Sequence, residues 1–135
     1  MYDLIAFGVA GSFIEYRRYP HFGLLCFLMA STISILLLIT QPNLYYYGGL
    51  SGLSTGAVIY LALWGLRETT RWRMFCQGLL IIVSVKISWE LWQSAFILTD
   101  STAFVPVPQS HLIGGLTALG LFLPQKKHSP LFREV

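Results

Sequence analysis

Charged residues are scarce in this chain. Asp, Glu, Lys and Arg make up only 11% of its 135 residues, whereas a soluble domain carries about a quarter. Hydrophobic residues account for 55% of the sequence, and the mean hydropathy is +0.63. This composition argues against a water-exposed globule and predicts an integral membrane protein.

Cysteines are also few. The two present, Cys26 and Cys76, lie inside or at the edge of apolar runs, without paired spacing and without a neighbouring histidine. A disulfide framework or a zinc site needs more ligands than this. We therefore interpret both as buried small hydrophobic residues, and we expect no metal or cofactor.

Long apolar runs, in contrast, dominate the chain. Five segments cover about residues 4–14, 22–39, 50–66, 74–98 and 111–123. One bilayer crossing needs about 20 apolar residues, and backbone groups in hydrocarbon must pair within their own segment. The sequence thus predicts an all-α, polytopic membrane helix bundle of about five transmembrane segments over residues 1–124, with a basic tail over 125–135. Residues 67–73 and 99–110 are predicted to be loops.

The loop cations fall in alternate connections. The loops around Tyr45 and Phe104 contain no Lys or Arg. The basic residues follow segments one, three and five, and they are Arg17, Arg18, Arg67, Arg71, Arg73, Lys126, Lys127 and Arg133. The positive-inside rule assigns these loops and the C-terminal tail to the cytoplasm. Lipid headgroups therefore explain the net charge of +3 better than a nucleic acid partner does.

The amino terminus is placed outside by the same rule. The first segment is not a signal peptide, because its cations come after the apolar run. With about 14 residues up to Glu15, it is also short for a full crossing. We therefore expect that an upstream helix and the start of this one are either missing from this chain or were lost in evolution.

Two motifs carry candidate chemistry. Gly49-Leu50-Ser51-Gly52 opens the third segment, and Ser110-His111-Leu112-Ile113-Gly114 opens the fifth. Both segments run from outside to inside, so Ser51 and His111 are expected at similar depth. A histidine base beside a serine hydroxyl is the minimal arrangement for nucleophilic catalysis. The alternative is ordinary helix packing, since Ser, Gly and His also occur at membrane helix contacts.

Small residues surround both motifs. They are Gly49, Gly52 and Gly56 on one segment and Gly114, Gly115, Ala118 and Gly120 on the other. Small residues allow close backbone approach between membrane helices. A serine in the first helical turn is also surrounded by unpaired N–H groups at the positive end of the helix dipole, and such donors stabilise an oxyanion.

The two motifs resemble the GxSG and HxxG signature of the rhomboid intramembrane serine proteases. The resemblance extends over nearly the whole chain: Glu15-Tyr16-Arg17-Arg18 resembles the Glu-Arg pair that ends the family's second membrane helix. The small size, the Gly-Leu-Ser-Gly form and the Lys86…Glu90 pair look most like the rhombosortase branch. The resemblance implies that Ser51 is the nucleophile and His111 the general base.

The resemblance also implies substrates and a location. It implies an intramembrane endopeptidase of the bacterial inner membrane that cuts transmembrane or C-terminal sorting segments near the outer face. Rhombosortases are associated with secreted proteins that carry a C-terminal Gly-Gly-type sorting helix. The expected partners are therefore membrane lipid and such protein substrates.

The chain departs from the family at its N-terminal side. The family's second helix usually carries an HxxxN motif whose Asn helps to form the oxyanion hole; here Asp3 stands at the Asn position and the His would precede Met1. The residue four after the nucleophile, often Tyr or His, is Thr55. We expect Gly49, Gly52 and Asp3 to be the residues at the oxyanion, where an Asp carboxyl group donates a hydrogen bond only when it is protonated. The alternative function is a rhomboid-like pseudoprotease that binds transmembrane helices without cutting them.

Other polar residues allow different interpretations. Lys86 and Glu90 are spaced i,i+4 and are expected to pair with each other, either as a structural ion pair or as the relay of a small transporter subunit. Ser54 is an alternative nucleophile, although a packing or back-bonding role is favoured. Asp100 is expected in an outer loop and need not be a third member of a catalytic triad.

Overall fold

The chain folds into helices wherever its structure is described. The computed structural model describes residues 2–40, 50–97 and 108–127, and these ranges contain five α-helices, a short 3₁₀ turn and no strand. The helices are α1 (Tyr2–Tyr16), α2 (Phe22–Thr40), α3 (Leu50–Gly65), α4 (Thr70–Ile97) and α5 (Pro108–Phe122), and the 3₁₀ turn covers Pro124–Lys127. The prediction of an all-α fold is confirmed.

Two helices begin earlier than predicted. Residues 70–73 and 108–110 were expected in loops, and that prediction is wrong, because α4 begins at Thr70 and α5 at Pro108. Proline is favoured at the first position of a helix, where its fixed φ fits and no N–H is needed. At the start of α4, the N–H of Arg73 donates to the carbonyl of Thr69 at 2.9 Å, which closes the first turn.

Helix α3 lies at the centre of the bundle. It packs against all four other helices, most extensively against α5 and then α1. Its buried residues are mostly small or polar, and they are Gly52, Ser54, Thr55, Gly56, Ala57, Tyr60, Leu61, Ala62, Trp64 and Gly65. The centre of the molecule therefore depends on close backbone approach more than on large apolar side chains.

Large apolar side chains cover the outside of the bundle. Leu4, Phe27, Leu38, Ile82 and Trp89 are all more than 60% exposed. The two cysteines are free, and Cys76 is buried as predicted, whereas Cys26 is only partly buried. A soluble monomer rarely leaves so much apolar surface in contact with water.

One helical stretch, Thr70–Gln93 within α4, is long and apolar enough by length and composition to cross a membrane, among the residues described. Three shorter apolar stretches are Phe22–Leu36, Leu50–Gly65 and Ser110–Phe122. At 1.5 Å per residue α3 is about 24 Å long, less than the hydrocarbon thickness of about 30 Å. Five full crossings therefore stay a prediction.

The connections that carry cations meet at one end of the bundle, which we call the basic end: residues 17–21, residues 66–69 and the 3₁₀ turn. Arg17 and Tyr19 both donate hydrogen bonds to the Glu68 carboxylate. Arg67 Nη1 donates to the carbonyl of Gln125 at 3.3 Å. Helices α1, α3 and α5 therefore run in the same direction, and each begins at the opposite end.

Aromatic rings support the cations of the basic end. The Arg17 guanidinium lies 4.6 Å from the centre of the Trp72 ring, and the Arg67 guanidinium lies 4.7 Å from that of Trp64. Tyr19 stacks on Trp64 with ring centres 5.7 Å apart. Each cation–π contact contributes about 0.5–2 kcal/mol. These contacts therefore stabilise the arrangement of the connections at the basic end.

Protonation of Tyr19 is part of this arrangement. Burial, and secondly the hydrogen bond to Glu68, raise the pKa of the Tyr19 phenol well above its usual range. A raised pKa in the folded state means that the contribution to stability is fully present below the ordinary tyrosine pKa. The contribution is lost as the pH rises through the raised value, because the phenolate repels the carboxylate.

Glu68→Gln is expected to lower the free energy of unfolding by about 1–3 kcal/mol, because Arg17 and Tyr19 both lose a charged acceptor. Thermal unfolding in detergent micelles, followed by circular dichroism, measures the change. Glu15→Gln removes a carboxylate from an exposed position of α1 and serves as the control. Equal losses in the two variants would contradict a specific role for Glu68.

Candidate active site

The candidate site begins with a backbone contact between α3 and α5. A Cβ atom added to Gly52 would lie 2.9 Å from the carbonyl oxygen of Ser110, and one added to Gly56 would lie 2.9 Å from that of Gly114. A Cβ on Gly114 would in turn collide with the carbonyl of Gly52. Any side chain at these three positions would push the helices apart.

The remaining small residues of α5 differ in their surroundings. Ala118 is completely buried. A Cβ on Gly115 would meet the tip of the Ile59 side chain at 2.9 Å, whereas Gly120 has open space beside it. The expected close approach therefore covers the first part of α5 and does not extend to Gly120.

Ser51 and His111 lie directly beside this contact. Ser51 precedes Gly52 in the first turn of α3, and His111 follows Ser110 in the first turn of α5. Ser51 is partly buried and His111 is 9% exposed. The two helices are direct neighbours with no other helix between them. Within the described residues, no hydrogen bond joins the Ser51 hydroxyl to His111.

The two serines of α3 have different surroundings. Ser54 is 4% exposed, and its hydroxyl donates to the carbonyl of Ser51 at 2.9 Å. Thr55 donates to the same carbonyl, also at 2.9 Å. Ser54 is therefore a back-bonded, buried serine, whereas the hydroxyl of Ser51 makes no hydrogen bond within the described part of the chain.

Histidine 111 is held from the side of α4, a contact that the sequence reasoning missed. Nδ1 of His111 lies 2.5 Å from Oε2 of Glu90. The other carboxylate oxygen, Oε1, lies 3.6 Å from Nζ of Lys86. Glu90 thus connects its i,i+4 neighbour with the histidine of another helix. The sequence holds no signal for this contact, because the i,i+4 spacing fixes Glu90 relative to Lys86 but not the side of α4 that faces α5.

The helix starts supply the groups that suit an oxyanion. The N–H groups of the first turn of α3, where Ser51 and Gly52 lie, have no partner within the helix. Together these N–H groups form the positive end of the α3 dipole. Asp3 lies in the first turn of α1 at the same end of the bundle, and among the described residues it makes no hydrogen bond to Ser51 or His111. Gly49, Tyr45–Tyr47 and Asp100 lie outside the described residues.

Comparisons with known protein families, with curated proteins and with solved structures give no match.

Proposed function

We propose that this protein is a membrane-embedded serine endopeptidase of rhomboid type, with Ser51 as nucleophile and His111 as general base. The observation that supports the proposal is the close contact between Gly52 of α3 and Ser110 of α5, which are the chain neighbours of Ser51 and His111. Ser51 is partly buried and His111 is nearly buried. The resemblance of the GxSG and HxxG motifs points to the same two residues.

The surface of the bundle supports a membrane location. Its exterior is covered by large apolar side chains such as Phe27 and Ile82, while the loop cations gather at the basic end. In our proposal the bundle lies in the bacterial inner membrane with the basic end in the cytoplasm. Ser51 and His111 then lie towards the outer face, with lipid and transmembrane or C-terminal sorting segments of other proteins as partners.

The reaction follows from the roles of the two side chains. Ser51 Oγ attacks the substrate carbonyl carbon while Nε2 of His111 takes the Oγ proton. The oxyanion that forms is stabilised by first-turn N–H groups of α3, each worth about 3–4 kcal/mol. His111 then gives its proton to the leaving amine as the C–N bond breaks. Water hydrolyses the acyl-enzyme by the same proton transfers in reverse, which frees the new carboxyl end and restores Ser51.

A serine-directed fluorophosphonate tests this proposal. The protein is treated with the probe in lipid bicelles, digested and analysed by mass spectrometry to locate the adduct. We expect the adduct on Ser51 and none on Ser54, because the Ser54 hydroxyl is buried and donates to the carbonyl of Ser51, whereas Ser51 has no such bond among the described residues. An adduct on Ser54, or no adduct at all on a folded protein, would refute the assignment of Ser51.

The second candidate is a pseudoprotease that binds transmembrane helices without cutting them. The observation that favours it is Asp3, which stands where the resembled family has its oxyanion Asn and makes no hydrogen bond to Ser51 or His111 within the described residues. A folded protein that retains an immobilised transmembrane peptide, yet does not react with the probe, would favour this function over the peptidase.

A further inference from the structure

The carboxylate of Glu90 lies between two cationic or protonatable groups from different parts of the bundle. Its Oε2 contacts His111 of α5 at 2.5 Å, and its Oε1 faces Lys86 of its own helix at 3.6 Å. The exposed fraction of the side chain falls along this chain of contacts, from 55% at Lys86 to 28% at Glu90 and 11% at His111. His111 is therefore the most buried of the three side chains.

We propose that Glu90 is a positioning residue that fixes the tautomer and the ring orientation of His111. The consequence for catalysis rests on the peptidase function proposed above. A neutral imidazole has one nitrogen that donates and one that accepts a hydrogen bond, and an ionised carboxylate can only accept. The contact with Glu90 therefore places the proton of the neutral ring on Nδ1. Nε2 is left with its lone pair free, as a base requires.

The carboxylate also acts after the proton has moved. When Nε2 takes the proton from Ser51 Oγ, the imidazole becomes a cation, and the Glu90 carboxylate lies against it. The proton stays on His111 until the leaving amine takes it, so Glu90 takes no proton from the ring and forms no covalent bond. Lys86 balances the charge of the carboxylate when the ring is neutral.

The geometry indicates more than a local ion pair. A lysine and a glutamate spaced i,i+4 meet without help from another helix, yet the shorter contact of Glu90 is with α5. Helix α4 is otherwise little buried: only 6% of the apolar stretch within Thr70–Gln93 lies inside the bundle. The polar contact therefore joins the least buried helix to the helix that carries the candidate base.

Glu90→Gln separates these roles with two measurements. The first is ¹⁵N NMR of histidine-labelled protein in bicelles, with His111 assigned from the spectrum of His111→Gln. Lys86 can only donate, so we expect it to hold the amide oxygen of the glutamine on its own side. The amide NH2 then faces Nδ1 and donates where the carboxylate accepted, so we expect the ring proton to move from Nδ1 to Nε2. The second is cleavage of a transmembrane reporter peptide, where we expect kcat to fall about 10²-fold or more with KM changed less than about two-fold.

Two further variants complete the design. Glu90→Asp keeps the carboxylate, and we expect it to retain the Nδ1 proton and to recover part of kcat. Glu15→Gln removes an exposed carboxylate from α1 and is expected to change neither the tautomer nor the kinetics. Thermal unfolding of each variant identifies any that fail to fold, and Glu90→Asp then carries the comparison.

The outcomes are distinct. A tautomer shift together with a fall in kcat supports the proposal. An unchanged tautomer in Glu90→Gln overturns it, and so does a shifted tautomer with unchanged kcat. If the wild-type protein cuts nothing while the tautomer still shifts, Glu90 does position His111 and the peptidase function is what fails.

Discussion

Ser51→Ala is expected to reduce cleavage of a transmembrane reporter peptide by roughly 10³-fold or more. Loss of the nucleophile removes the covalent route entirely, and what remains comes from binding and oxyanion stabilisation alone. The measurement uses protein and reporter reconstituted together in liposomes, with the products identified by mass spectrometry. His111→Gln is expected to cause a loss of the same order, because the two residues act as one unit.

Ser54→Ala is the matched control for this prediction. It removes a hydroxyl from the same helix, one turn away, where the group donates only to the carbonyl of Ser51. We expect the variant to stay within about five-fold of the wild type, since a single neutral hydrogen bond contributes about 1 kcal/mol. A loss in Ser54→Ala as large as in Ser51→Ala, or full activity in Ser51→Ala, would contradict the assigned nucleophile.

The helices themselves follow from the sequence. Apolar runs separated by Pro, Gly and charged residues predict where α1 to α5 lie. The largest errors are at the starts of α4 and α5, and α1 also continues to Tyr16, two residues past its predicted end. Those errors have a local cause. The sequence predicts Pro108 in a loop, although proline is as suitable for the first turn of a helix as for a loop, and composition alone does not distinguish the two.

The alternation of charged loops predicts which helix ends lie together. Since helices joined by short connections run in opposite directions, Arg17, Arg67 and the 3₁₀ turn are expected at one end, and they meet there through Glu68 and Gln125. The partners within that end were not predicted. Which ring an arginine covers depends on helix rotation, and a sequence with apolar residues on every face gives no measure of rotation.

The same limitation explains the missed contact of His111. The sequence places Glu90 near Lys86, because that spacing is fixed within one helix. It does not fix which side of α4 faces α5, and the Glu90–His111 contact depends on that rotation. By contrast, the glycines of α3 and α5 do predict that these two helices approach closely, because a helix face without side chains allows a neighbouring backbone to lie against it.

Gly114→Ala is expected to lower the free energy of unfolding by about 1–3 kcal/mol, a typical cost of overpacking. The added methyl group would meet the carbonyl of Gly52, and backbone atoms yield less readily than side chains. Because the helices must move apart, Ser51 and His111 also lose their relative position. A displacement of about 1 Å costs roughly 10²-fold in rate, so we expect reporter cleavage to fall by about that factor.

Gly120→Ala tests whether the position or the substitution matters. It makes the same change six residues later on the same helix, at a glycine where an added Cβ has no described residue within 4 Å. Alanine is favoured over glycine inside a helix by about 0.5–1 kcal/mol, so we expect equal or slightly higher stability and unchanged cleavage. Thermal unfolding and the liposome assay measure both variants side by side. If Gly114→Ala behaved like Gly120→Ala, the glycine junction between α3 and α5 would not be what holds the candidate nucleophile and base together.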